Sequence, residues 1–157
     1  MTGTEDGVAR WSYKKDQYFG QGSMTFETPM TSSPSQAATK RLKILIVEDH
    51  TPTRMAMGRL IRQAGAEVTT ARDGEEALGY LLTQHFDVLL TDLRMPKMDG
   101  FELLHHCNTL PASHRPGRVI AISGEYEASA LHGQPVQFLA KPFDINVLLD
   151  MLGGKPN

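Results

Sequence analysis

Strand-like and helix-like segments alternate regularly between residues 41 and 153, and this alternation is the feature that most constrains the fold. Short runs bounded by turn residues are typical of strands, and apolar residues with a period near 3.6 are typical of amphipathic helices. Five β-α repeats in one domain favour a parallel sheet with helices on both of its faces. The predicted strands are 42–47, 67–71, 87–91, 119–122 and 136–140.

The second of these strands, 67–71, is more polar than the first, third and fourth. Strands that are buried on both faces of a parallel sheet are continuously apolar. The first, third and fourth strands are therefore predicted to be central, and the second is predicted to lie at an edge of the sheet.

Capping residues mark the predicted helix starts, because their side-chain oxygens accept hydrogen bonds from N–H groups of the first turn. The segment before the fifth strand is different. Residues 125–132 contain few apolar side chains and are closed by Gly133 and Pro135, so they predict only a short, marginal polar helix. The predicted caps of the other helices are Thr51, Asp73, Asp99 and Asp144.

Residues 1–40 differ in character from the rest of the chain. They are rich in Gly, Ser, Thr, Gln and Pro and show no sustained periodicity, which is typical of a tail or linker. Met24 and Met30 are alternative native starts, so a vector-derived leader is also compatible with the first residues. The predicted organisation is a tail at 1–40, one domain at 41–153 and a short C-terminal tail at 154–157.

Charge and composition exclude several classes of function. A net charge of −2 provides no basic field for nucleic acid. Cys107 is the only cysteine, which excludes an internal disulfide and suits a reducing compartment. No apolar run approaches the roughly 18 residues of a membrane span. These features predict a cytoplasmic protein without a membrane or nucleic-acid partner.

Chemically active side chains follow four of the five predicted strands. They are Glu48 and Asp49 after the first strand, Asp92 after the third, Ser123 after the fourth and Lys141 after the fifth. The carboxyl ends of parallel strands meet at one edge of a sheet, so these groups are expected in one crevice. Three carboxylates repel one another and need a cation, and their hard oxygen atoms suit Mg²⁺. A carboxylate there is also a usable nucleophile for phosphoryl transfer, which needs mainly positioning and charge neutralisation.

The order and spacing of these motifs resemble the receiver domain of two-component response regulators. The resemblance implies a flavodoxin-like fold with strand order 2-1-3-4-5. Only 18 positions separate Ser123 from Lys141, fewer than is usual in the family, so we expect a shortened fourth helix and an altered partner or dimer face. The matching segments are 44–49, 95–100 together with Asp92, 121–124 and 138–143.

The resemblance also implies a role for each residue at the strand ends. Asp92 is the expected phosphoacceptor, and the expected donor of its phosphoryl group is a histidine kinase or a histidine phosphotransfer protein. Lys141 is expected to contact the phosphoryl group, and Ser123 and Phe138 are the expected switch residues. The position of Phe138 equally suits an ordinary core residue. The implied Mg²⁺ ligands are Glu48, Asp49, Asp92 and the backbone carbonyl of Arg94.

The resulting interpretation is a phosphorylation-controlled receiver that switches a protein-interaction surface for a downstream effector. It is not an enzyme beyond its own phosphorylation and dephosphorylation, and its oligomeric state stays open. It is either a stand-alone receiver or the receiver part of a hybrid kinase. Arg94 and Glu125 lie beside the expected phosphate and are interpreted either as a lid-like pair or as two solvated charges.

Two alternatives come from other functional classes. An Mg²⁺-dependent phosphatase or phosphotransferase with an Asp nucleophile generally has a second Asp two positions later, where this chain has Arg94. A non-switching interaction module has no need of the complete acidic set and Lys141. Both alternatives are therefore disfavoured by the sequence.

Overall fold

The computed structural model describes residues 40–153, so residues 1–39 and 154–157, which carry nearly all of the two predicted tails, lie outside the described residues. Five parallel strands form one sheet in the order β2-β1-β3-β4-β5. This confirms the predicted strand order and the edge position of β2. The strands are β1 (Lys43–Val47), β2 (Glu67–Ala71), β3 (Val88–Asp92), β4 (Arg118–Ser123) and β5 (Gln137–Ala140).

Four α-helices cover the two faces of the sheet. They are α1 (Thr51–Gln63), α2 (Gly74–Leu81), α3 (Gly100–Thr109) and α4 (Ile145–Met151). Successive side chains of a strand point to opposite faces, so each central strand contributes to two cores. Ile44 and Ile46 of β1 pack in one apolar cluster with residues of α1 and α4. Leu45 and Val47 pack in the other with residues of α2 and α3.

The predicted helix caps are confirmed at Asp73, Asp99 and Asp144, whose side chains accept backbone hydrogen bonds from the first turns of α2, α3 and α4. The predicted cap at Thr51 is wrong. His50 occupies the cap position instead, since its carbonyl accepts the first helical hydrogen bond, from the N–H of Arg54 at 2.9 Å, and its side chain makes no capping bond. Thr51 is the first helical residue, and its hydroxyl oxygen accepts a hydrogen bond from the Arg54 guanidinium instead.

The predicted polar helix at 125–132 is shorter than expected. Only one 3₁₀ turn, Ala128–Leu131, forms there, and the chain turns left-handed at His132 (φ 45°) and Gly133 (φ 71°). Leu131 is the one residue of this turn that is buried. A helix anchored by a single apolar side chain gains too little from packing to offset the cost of nucleation.

Asp73 connects α2 to the loop that follows β3. Its Oδ1 accepts the N–H of Glu76 at 2.9 Å, and its Oδ2 accepts the ammonium of Lys97 at 3.1 Å. The hydrogen bond from Glu76 and the charge of Lys97 hold the pKa of Asp73 below its ordinary value. The contribution of Asp73 to stability is therefore present above the ordinary carboxyl pKa and is lost as pH falls through the lowered pKa.

We expect Asp73→Ala to lower the free energy of unfolding near neutral pH by about 1 kcal/mol, because α2 loses its cap. The difference from wild type should shrink in acid, where the wild-type carboxylate is protonated. Asp73→Asn keeps a capping oxygen and should lose less. Urea unfolding of the three proteins at neutral and acid pH measures these differences, and an Ala penalty that is the same at both pH values would contradict the expectation.

Candidate functional site

The parallel register brings the ends of four strands to one edge of the sheet. Glu48 and Asp92 are neighbours because β1 pairs directly with β3. Ser123 ends β4, and its carbonyl accepts the backbone N–H of Lys141 at 2.7 Å. The predicted convergence of these side chains is therefore present, and strand pairing rather than local sequence produces it.

The ammonium of Lys141 bridges two carboxylates at the centre of the site. Its Nζ lies 2.8 Å from Asp92 Oδ2 and 2.9 Å from Glu48 Oε2. The Lys141 side chain is 29% exposed, whereas those of Glu48 and Asp92 are 3% and 11% exposed. Water screens charges weakly at such depth, so the three groups interact strongly.

Burial and pairing have opposing effects on the pKa of Lys141 and on the pKa of Glu48. Burial lowers the pKa of Lys141, but the hydrogen bonds and charges of Asp92 and Glu48 outweigh it and raise that pKa. Burial also raises the pKa of Glu48, against the opposing effects of Lys141 and the His50 N–H. The lysine therefore stays protonated and offsets the mutual repulsion of the two carboxylates.

Three carboxylates of the site are close enough to share one cation. Glu48, Asp49 and Asp92 each have an oxygen within 4.8 Å of the others, with Asp49 exposed and the other two buried. Hard carboxylate oxygens suit Mg²⁺, and the exposure of Asp49 leaves room for the waters that this ion usually keeps. Arg94 is tied to the same cluster, since its backbone N–H donates to Asp92 Oδ1 at 3.1 Å. The donor set thus fits the ion predicted from the sequence.

Ser123 is buried beside this cluster, and its hydroxyl organises the following loop. Its Oγ accepts the N–H groups of Glu125 at 3.1 Å and Tyr126 at 3.0 Å. A serine hydroxyl has two acceptor positions and one donor, so the O–H is what Ser123 offers to an incoming group. Phe138 is half-buried in β5 and packs against the small cluster formed by Leu104 and its neighbours.

Two contacts join the loop after β4 to the segment that follows β3, one from the loop after β3 and one from the first turn of α3. The Arg94 guanidinium donates to the Glu125 carboxylate, and this hydrogen bond lowers the pKa of Glu125. The rings of Phe101 and Tyr126 meet edge to face with centroids 5.1 Å apart. The side chains of Arg94 and Glu125 are 69% and 55% exposed, so solvent screening leaves their pairing little influence on stability.

Sequence reasoning missed Arg54. Its guanidinium donates to the backbone carbonyls of Glu48 at 2.7 Å and Asp49 at 3.2 Å, and to the Thr51 hydroxyl at 3.1 Å. The available signal was its place four positions after His50, in the first turn of α1, where a long side chain can return to the preceding strand end.

The fold and the site together define a parallel α/β domain with a cluster of three carboxylates at one sheet edge, which also carries a lysine and a serine. The sequence profile described as the response regulator receiver domain matches residues 44–153. The chain therefore belongs to the response regulator receiver domain family, and it is a receiver of two-component phosphorelay signalling. This membership confirms the family resemblance read from the motifs.

Relatives of known sequence and structure agree with this assignment. The gliding motility regulatory protein of Myxococcus xanthus is 40% identical over 87 residues, which are 55% of this chain and 11% of that relative. The chain thus matches only a small part of that protein. The chemotaxis protein CheY4 of Vibrio cholerae has a TM-score of 0.66 and 29% identity, over 72% of this chain and 97% of the other.

A second structure bears on the metal. It is the receiver domain of a sensor histidine kinase from Pseudomonas aeruginosa, with a TM-score of 0.65 and 27% identity, over 71% of this chain and 94% of that chain. That domain was crystallised with a magnesium ion coordinated in its active-site cleft. Receiver domains as a family bind Mg²⁺ in their acidic site and are generally signalling modules rather than enzymes.

Within residues 40–153 the longest helix, α1, has 13 residues, and none combines the length and hydropathy needed to cross a bilayer.

Proposed function

We propose that Asp92 is the phosphoacceptor of this receiver and that Glu48, Asp49, Asp92 and the Arg94 carbonyl hold Mg²⁺. The observation that carries the proposal is the Lys141 ammonium, 2.8 Å from Asp92 Oδ2, inside a cluster of three carboxylates. A cation that already touches the nucleophile is in position to follow the charge onto a phosphoryl oxygen. Bound Mg²⁺ would supply further neutralisation of the phosphoryl oxygens.

The transfer requires few groups. The N–P bond of a phosphohistidine breaks and leaves its electron pair on the imidazole, while a bond forms between phosphorus and an Asp92 carboxylate oxygen. Lys141 moves its hydrogen bond from Asp92 Oδ2 to a phosphoryl oxygen, and the Ser123 O–H donates to another. Hydrogen bonds between an ammonium and phosphate oxygens are strong and favour the phosphorylated form. Water then hydrolyses the acyl phosphate, which releases inorganic phosphate and restores the Asp92 carboxylate.

The consequence for signalling follows from Ser123. Its hydroxyl holds the N–H groups of Glu125 and Tyr126, so a shift of Ser123 toward phosphate displaces the start of the loop after β4. We infer that this loop and β5, with Phe138, form the surface that a downstream protein binds. Phosphorylation then biases a pre-existing equilibrium between two conformations.

The cellular setting of the chain belongs to the same proposal. We infer a histidine kinase or phosphotransfer protein as donor, a cytoplasmic location, and no chemistry beyond Asp92 phosphorylation and dephosphorylation. We also propose that 41–153 is the receiver domain and that 1–40 and 154–157 are tails. Similarity to a receiver of a sensor histidine kinase supports the choice of donor.

Removal of the metal tests the proposal directly. We expect the chain to gain one phosphoryl group from acetyl phosphate when Mg²⁺ is present and none after chelation by EDTA, as read by intact mass. Beryllofluoride with Mg²⁺ should shift the amide NMR signals of Ser123 and Phe138. Phosphorylation that persists in EDTA would contradict the metal role, and unshifted signals would contradict the switch.

A further inference from the structure

The guanidinium of Arg54 donates hydrogen bonds to the backbone of the turn between β1 and α1. One terminal nitrogen donates to the carbonyl oxygens of Glu48 at 2.7 Å and Asp49 at 3.2 Å. The other donates to the Thr51 hydroxyl at 3.1 Å. The guanidinium thus contacts the backbone of both acidic residues and does not pair with either carboxylate.

The shape of this turn determines where the Glu48 carboxylate points. The His50 N–H donates to Glu48 Oε1 at 3.1 Å, while Glu48 Oε2 accepts from Lys141 at 2.9 Å. One oxygen of the carboxylate is therefore tied to the turn that Arg54 holds. Asp49 is exposed and follows the same backbone, so a change in the turn moves both side chains.

We propose that Arg54 is a positioning residue for the metal site: it fixes the turn 48–51 so that the Glu48 and Asp49 carboxylates converge with Asp92. This inference rests on the proposed function, because it takes the acidic pair as Mg²⁺ ligands. Groups that orient metal ligands from the second layer commonly change metal affinity by about 10–100-fold when they are removed.

The charge of Arg54 acts in the opposite direction. A positive group beside an acidic cluster repels a second cation, so removing the charge alone would tighten Mg²⁺ binding. Positioning predicts weaker Mg²⁺ binding after removal. The two explanations therefore predict opposite signs for the same substitution, and a measured dissociation constant separates them.

The experiment compares Mg²⁺ dissociation constants, from calorimetry or amide shifts, for the full chain and three variants. Arg54→Met removes charge and donors but keeps an apolar stem, and Arg54→Lys keeps the charge but loses the planar fork. Arg59→Met removes an exposed charge from the same helix as the control. We expect about tenfold weaker binding for Arg54→Met, an intermediate value for Arg54→Lys, and wild-type or slightly tighter binding for Arg59→Met.

Acetyl phosphate provides a second readout, because the Mg²⁺ concentration for half-maximal phosphorylation should rise in the same order. Binding by Arg54→Met as tight as wild type, or tighter, would overturn the inference. If Arg54→Met does not fold, judged by circular dichroism, Arg54→Lys decides, and wild-type affinity there overturns it. Absence of Mg²⁺ binding by the wild-type chain would overturn the proposed function and this inference with it.

Discussion

Asp92→Asn is expected to gain no phosphoryl group from acetyl phosphate at any Mg²⁺ concentration. The substitution exchanges a nucleophilic carboxylate oxygen for an amide of nearly the same shape. An Asn at this position still accepts the Arg94 N–H through its remaining oxygen, a bond that Asp92 makes at 3.1 Å. The fold should therefore survive while the reaction is lost, and intact mass spectrometry measures the outcome.

Asp150→Asn is the matched control for this prediction. Asp150 is an exposed carboxylate on α4, and its neutralisation changes the net charge by the same amount. This control should be phosphorylated like the wild type. A phosphoryl group on Asp92→Asn would assign the reaction to another carboxylate, and mapping of the modified peptide would then test Asp49 first.

Gly100→Ala is expected to lower the free energy of unfolding by about 1–3 kcal/mol, because the added methyl group overpacks the joint between α3 and β3. A Cβ at Gly100 would collide with the backbone carbonyl of Asp92 and lie 2.7 Å from the Leu93 Cα. Backbone atoms cannot rotate away as a side-chain tip can, so α3 must move off the strand. The collision is with the backbone of Asp92 itself, and we therefore also expect slower phosphorylation.

Gly79→Ala provides a control of opposite sign. Gly79 lies in the exposed part of α2, and within residues 40–153 a Cβ there meets no heavy atom within 4 Å beyond its chain neighbours and the adjacent backbone of its own helix. Alanine favours a helix interior over glycine by about 0.5–1 kcal/mol, so this variant should be more stable than wild type. Urea unfolding measures both. Equal stability of the two variants would show that the close approach at Gly100 is relieved without cost.

Features that depend only on residues close together along the chain were predictable from the sequence. Asp73, Asp99 and Asp144 cap their helices because a cap needs only its own side chain and the next turn. The apolar centre of β3 and the polar character of β2 indicated their places in the sheet. The prediction of a cap at Thr51 was wrong because α1 begins one residue earlier than expected, so that His50 takes the cap position and Thr51 is already helical.

The structure of the region after β4 could not be predicted from the local sequence pattern alone. A polar pattern with one apolar anchor, Leu131, is compatible with a short helix or with a single turn. Packing decides between them, since isolated short helices are marginal in water. The structure has only a 3₁₀ turn there, Ala128–Leu131, between β4 and β5.

The sequence by itself determined the five strands, their alternation with helices, and the list of groups that follow the strands, because periodicity and chain order are local properties. The tertiary structure alone decided how those groups meet. Lys141 reaches Asp92 and Glu48 across 49 and 93 positions of sequence, and Arg54 returns to the carbonyls of the acidic pair. These contacts arise from strand register and from the direction of α1, and the spacing of residues along the chain does not encode either.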